Sequence, residues 1–188
     1  MSRLGITPSQ TVGPYFALGL TWQDASDVVP PGTADAFWIR GTVYDGDGEP
    51  IPDALVETWQ ADSQGRFAHP DDPRGAVEWS DFRGLGRSGT DDAGRYGIHT
   101  VKPGPLPFPD GRVEAPHIDV SVMARGLLAR LVTRIYFPEE EAANAADPVL
   151  ACLPPGATRE TLIAAARDDG YLFDIHLQGA RETTFFAL

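Results

Sequence analysis

The stretch from Lys102 to Phe137 limits this chain more than any other. It opens with Pro103, Gly104, Pro105, Pro107 and Pro109, which exclude helix and supply no strand ladder. His117-Ile-Asp-Val-Ser-Val-Met123 follows, an apolar and β-branched run with a strand's composition. Ala124-Arg-Gly126 makes a turn, and Leu127–Phe137 reads as a second strand. A proline-stiffened loop feeding a strand headed by a histidine is a good place to build a site.

The rest of the chain agrees with a β fold. Gly and Pro number 20 and 17 in 188 residues, a loop-rich composition that is still too apolar for disorder. Phe37–Tyr44, Ala54–Gln60 and Arg95–Val101 read as strands, separated by the turns Asp45-Gly-Asp-Gly48, Asp62-Ser-Gln-Gly65 and Asp91-Asp-Ala-Gly94. Residues 67–86 read as one long loop, a kind that is usually functional or interfacial. Pro138–Ala145 carries a helix start, with carboxylates in its first turn. Thr158 reads as the cap of a helix over Arg159–Arg167 that Gly170 stops. Tyr171–Leu177 and Thr183–Leu188 complete about seven strands. The fold expected is mostly β: one domain over 1–188, an antiparallel β-sandwich with long loops, two short helices and an N-terminal extended arm. Residues 1–35 are the arm and its loop, apolar enough to require docking on a partner chain or on the domain itself.

Charge narrows the partners. The net charge of −12, with no clustered Lys and Arg, argues against nucleic acid and anionic membrane. The lone cysteine, Cys152, cannot form an internal disulfide and reads as a buried or idle thiol. No segment has the apolar length of a membrane span, so a soluble cytoplasmic protein is expected.

Among the four histidines, His69 and His99 read as structural or solvated, and His176 as a residue on the polar face of a late strand. His117 and Asp119 stand two apart on one strand and so share a face. They could form a hydrogen-bonded pair, or hold a metal, and His176 could complete a two-histidine, one-carboxylate set for Fe(II). Nucleophile elbow, P-loop, dinucleotide glycine motif, CxxC and HExxH are all missing.

Ile39-Arg-Gly-Thr-Val43, Gly48, Ile51, Val56-Glu57 and Gly65-Arg-Phe67 together resemble the signature of the intradiol ring-cleaving dioxygenases. Thr58 departs from it, at a place where an apolar residue is usual. Glu57-Thr-Trp-Gln-Ala61, Thr100-Val-Lys-Pro-Gly104, Ala115-Pro-His-Ile118 and Arg134-Ile-Tyr-Phe137 extend the likeness. Thr7-Pro-Ser-Gln-Thr11, Gly13-Pro-Tyr15, Gln178-Gly179 and Thr184-Phe-Phe186 carry it over nearly the whole chain.

The resemblance implies that catalytic members hold non-haem Fe(III) with two tyrosines and two histidines. Matched motif by motif, those positions here are Phe67, Leu106, His117 and Asp119. Three of the four ligands are absent, so the resemblance is to an iron-free alpha-type subunit with no catalytic residue of its own. It implies a homologous iron-bearing beta subunit as partner, O2 and 3,4-dihydroxybenzoate as substrates, and a place in aromatic catabolism by the beta-ketoadipate pathway. It also implies a pocket at the alpha–beta boundary, to which Thr11, Gly13, Pro14, Tyr15 and Arg125 contribute. Gly13 would allow close backbone approach, and Arg125 would attract a carboxylate. Two other readings remain at this point: an independent Fe(II) oxygenase using His117, Asp119 and His176, and a β-sandwich binding module without a catalytic partner.

Overall fold

The computed structural model describes residues 19–154 and 157–187. The described residues form β1 (Phe37–Tyr44), β2 (Leu55–Trp59), β3 (Leu85–Gly89), β4 (Arg95–Thr100), β5 (Leu106–Pro107), β6 (Val113–Glu114), β7 (His117–Met123) and β8 (Leu131–Tyr136). After these come α1 (Glu141–Ala146), a 3-10 turn (Leu150–Cys152), α2 (Ala157–Glu160), β9 (Ala165–Arg167), β10 (Gly170–Leu172) and β11 (Ile175–His176). Most of the expected arm, 1–18, lies outside the described residues.

Two sheets face each other, as a sandwich requires. One runs β3-β2-β7-β8, antiparallel throughout. The other is centred on β1, with β4 antiparallel on one side and β10 and β11 parallel to it on the other. Strand alternation builds the core. Ile39 and Val43 of β1, Ile98 of β4 and Ile175 of β11 meet Val56 of β2, Val120 and Val122 of β7 and Ile135 of β8. Thr58, the departure from the family signature, is fully buried against Gly86 of β3, where a Cβ would come within 2.7 Å of the hydroxyl.

Several sequence expectations give way to tertiary contacts. The loop over 67–86 ends in a strand, β3, whose glycines hide its pattern. Pro107 does enter a ladder, because β5 and β6 are a two-residue edge pair that needs no donor from proline. The strand expected from Leu127 begins only at Leu131, since Gly126 at φ +91° extends the turn. The helix expected over Arg159–Arg167 stops at Glu160, with Thr158 inside it rather than capping it. Beyond it, Tyr136 N–H donates to the Leu162 carbonyl and Ala164 N–H to the Tyr136 carbonyl, so a backbone pairing overrides helix propensity.

The strand expected over Tyr171–Leu177 is broken at Phe173 and Asp174. There the Asp174 carboxylate accepts Thr42 N–H, and the Phe173 carbonyl accepts the Tyr96 hydroxyl. Thr183–Ala187 forms no strand, though Thr183 and Phe186 donate to the His176 and Val132 carbonyls. Cys152 is exposed rather than buried. Among the described residues no helix is long and apolar enough to cross a membrane.

Candidate functional site

The site is built where β2, β7 and β8 meet the loops before β3 and β5. Trp59, the last residue of β2, lies opposite Asp119 of β7, and Asp119 lies opposite Arg134 of β8. A tight turn follows β2. The Asp62 carboxylate accepts N–H bonds from Gln64 and Arg66, at 2.9 and 2.8 Å. Gly65 adopts φ +77°, and a Cβ there would lie 2.5 Å from the Pro105 carbonyl. Gly104 N–H closes the contact by donating to the Asp62 carbonyl. Two glycines thus press the turn leading to Phe67 against the loop carrying Leu106.

Phe67 is held as an aromatic filler. Its ring stacks on Trp59 with centroids 5.6 Å apart and planes 3° from parallel. The Arg74 guanidinium sits 5.3 Å from the Phe67 ring centre on a cation–π contact. Asp72 fixes both: it accepts Phe67 N–H at 2.6 Å and pairs with Arg74. The hydrogen bond from Arg74 holds the Asp72 carboxyl well below the usual carboxylate range, against the effect of its burial. Leu106 is buried beside Gly65 and pairs with Glu114 across β5 and β6.

His117 is almost fully buried. Its Nδ1 lies 2.7 Å from the Ala115 carbonyl, an atom that can only accept, so Nδ1 carries a proton and donates. Nε2 lies 3.9 Å from the Asp119 carboxylate. That carboxylate is already engaged: Arg134 Nε donates to its Oδ1 at 2.9 Å. The same guanidinium donates to Glu114 Oε1 at 2.8 Å and reaches the Tyr136 hydroxyl at 3.4 Å. Burial pulls the Arg134 pKa down, but the charge of Asp119 and the bond to Glu114 outweigh it and push it up.

Behind them Tyr136 donates to the fully buried Asp147, which also accepts N–H bonds from Ala115, Val149 and Leu150. Burial pushes the Tyr136 phenol up, so it stays protonated at neutral pH.

Sequence reasoning placed Phe67, Leu106, His117 and Asp119, and the structure links them through Trp59, Gly65, Glu114 and Arg134. It missed the parts played by Glu114, Arg134, Tyr136 and Asp147. Arg134 and Tyr136 stand two apart in a strand facing β7, but the irregular turn over 124–130 hides which residues they oppose. His176 is elsewhere: it lies in β11, in the other sheet, stacked on Tyr44 at 4.8 Å. Among the described residues no three His, Cys, Asp or Glu side chains gather as a metal site, so the His117, Asp119 and His176 set is not assembled. His69 is exposed, and His99 packs on Trp38 with its Nδ1 3.3 Å from Asp27, in keeping with structural roles.

Arg125 lies just past the far end of β7, whose span from His117 to Met123 is about 20 Å at strand rise. Its side chain is 77% exposed and its Nε pairs with Asp53 at 2.7 Å. Thr11, Gly13, Pro14 and Tyr15 lie outside the described residues. The intradiol dioxygenases use non-haem Fe(III), a hard acid that favours phenolate oxygen and imidazole nitrogen. The residues here do not fit it. Phe67 and Leu106 carry no donor atom, and Asp119 is bound to a guanidinium.

Comparison with known proteins identifies the family. The "Dioxygenase" family model matches residues 13–179. The protocatechuate 3,4-dioxygenase alpha chain of Burkholderia cepacia is 44% identical over 205 residues, covering 99% of each chain. The beta chain of the same enzyme from that organism is 37% identical over 160 residues, 77% of this chain and 65% of that one. Among solved structures, catechol 1,2-dioxygenase from Acinetobacter sp. ADP1, inhibited by bound mercury, matches 81% of this chain and 56% of its own. The two share 25% identity and superpose with a TM-score of 0.58. Sequence and fold converge: the chain belongs to the intradiol ring-cleaving dioxygenase family.

Proposed function

We propose that this chain is the iron-free alpha-type subunit of a protocatechuate 3,4-dioxygenase, paired with a homologous beta-type subunit that carries the Fe(III). The complex opens the ring of 3,4-dihydroxybenzoate between its hydroxylated carbons. Both atoms of O2 are incorporated, giving 3-carboxy-cis,cis-muconate. One observation carries the reading: at the family's four ligand positions stand two hydrocarbon side chains, a histidine and an aspartate already paired with Arg134. The match to alpha chains along the full length supports it. So does the partial match to a beta chain, since two homologous chains can pair through related surfaces.

The alpha chain then serves as a wall of the partner's pocket. Thr11, Gly13, Pro14 and Tyr15 would line it from the arm, which docks on the partner, while Val28 and Val29 later in the expected 1–35 segment pack in this chain's own core. Arg125 would supply a cation for the substrate carboxylate. Its distance from His117 fits a role toward a neighbouring chain's centre rather than toward this chain's own degenerate one. We place the complex in the cytoplasm, where a lone exposed thiol stays reduced.

Co-expression with a homologous beta chain tests the proposal. The two should copurify, consume O2 with 3,4-dihydroxybenzoate, and show a raised KM for that substrate when Arg125→Ala is introduced. A stable monomer that never copurifies with the homologue would instead favour a binding module.

A further inference from the structure

We infer that the Arg134 guanidinium is a built-in cation, doing in this chain the electrostatic work a metal ion does in a liganded pocket: it holds the Glu114 and Asp119 carboxylates, and with them the walls of β6, β7 and β8, in place without metal. The inference rests on the reading that iron belongs to the partner subunit.

The geometry is that of a cation centre. A pocket built to surround a cation collects electron-rich groups. This one has two carboxylates, a phenol oxygen and a buried imidazole whose Nε2 lies 3.9 Å from Asp119. Left without a positive charge, Glu114, whose side chain is only 10% exposed, would keep a poorly screened charge with no partner, and Asp119, at 35% exposed, a partly screened one. Arg134, itself 18% exposed, meets both carboxylates from one planar fork, Nε to Asp119 and NH1 to Glu114. The bond to Glu114 ties in an element that the sandwich alone does not lock, while the bond to Asp119 adds to the β7–β8 ladder. Glu114 belongs to the two-residue β6, held by a two-residue ladder with β5. Asp119 belongs to β7 and Arg134 to β8. A guanidinium reaches three groups with directed N–H bonds and arrives already attached to the chain, so no cofactor has to be loaded.

A charge role and a packing role predict different mutational patterns. Removing one member of a buried ion network leaves its partners uncompensated, whereas neutralising the whole network is close to harmless. The experiment compares thermal unfolding of the full-length wild type with Arg134→Lys, Arg134→Met and the triple variant E114Q/D119N/R134M. Arg134→Met should lower Tm by roughly 5–10 °C. Arg134→Lys keeps the charge and should lose less than half of that. The triple variant, with no charge left to compensate, should recover at least half. A triple variant no more stable than Arg134→Met would overturn the inference, because the loss would then come from packing. Metal analysis of the wild-type chain separates this from the reading beneath it. Stoichiometric iron there would overturn both, while failed rescue with an iron-free wild type would overturn the inference alone.

Discussion

Asp119 and Arg134 face each other across the ladder joining β7 to β8, and the guanidinium Nε donates to the carboxylate Oδ1 at 2.9 Å. In the proposed alpha-type reading, Asp119 stands where catalytic members have a metal-ligand histidine. Asp119→His would restore the ligand type while setting an imidazole beside a cation that has lost a counter-charge. The variant should lose about 2–4 kcal/mol of stability and still take up no iron. Urea unfolding with elemental analysis checks both; iron uptake by this single variant would show that Arg134 does not guard the position.

Gly65 brings the Phe67 turn and the Leu106 loop together. Its φ of +77° and its approach to the Pro105 carbonyl leave no room for a Cβ. Gly65→Ala should cost about 2–3 kcal/mol through strain and displacement of the turn. A urea midpoint within error of wild type would mean that the loop relaxes freely, and that the packing of Phe67 is not enforced from this side.

Asp147 accepts three backbone N–H bonds and the Tyr136 hydroxyl while fully buried. Asp147→Ala strands these donors and should cost about 3–5 kcal/mol, whereas Asp147→Asn keeps one acceptor oxygen and should cost less. Thermal unfolding orders the three proteins. The prediction fails if alanine and asparagine are equally mild.

His176 provides a pH signature away from the site. Burial, then the nearby Arg181, hold its pKa below the ordinary histidine value, and Asp174 opposes them. The folded chain therefore prefers the neutral ring, and the unfolded chain takes the proton first. Stability from this residue is complete above the ordinary value of about 6.5 and is lost as the pH falls below it. Tm should drop between pH 7 and pH 5.5, and His176→Gln should flatten that part of the curve. An unchanged slope in the variant would assign the pH dependence to other groups.

What could be read from residues alone follows the range of the interactions. Phe37–Tyr44 and His117–Met123 were legible to the residue, because alternation and β-branching are local properties. The segment after Thr158 was misread because Leu162 and Ala164 answer to the backbone of Tyr136, a contact that no local pattern announces. Strand β3 escaped because Gly86 and Gly89 replace the side chains that would have marked it.

The same division holds at the site. Phe67, Leu106, His117 and Asp119 could be found because motifs fix their place in the chain. Arg134 opens the Arg134-Ile-Tyr-Phe137 motif, yet its role depends on lying opposite Asp119, which is a matter of register across an irregular turn. Glu114 and Asp147 carry no motif, and only their hydrogen bonds identify them.

The central claim is that this chain holds no iron of its own. The direct measurement is iron content and visible absorption of the full-length chain purified alone, set beside the chain copurified with its beta homologue. The account predicts a colourless chain with far less than one iron per molecule when alone, and about one iron per alpha–beta pair with a ferric–tyrosinate band in the complex. Stoichiometric iron and that band in the isolated chain would contradict it.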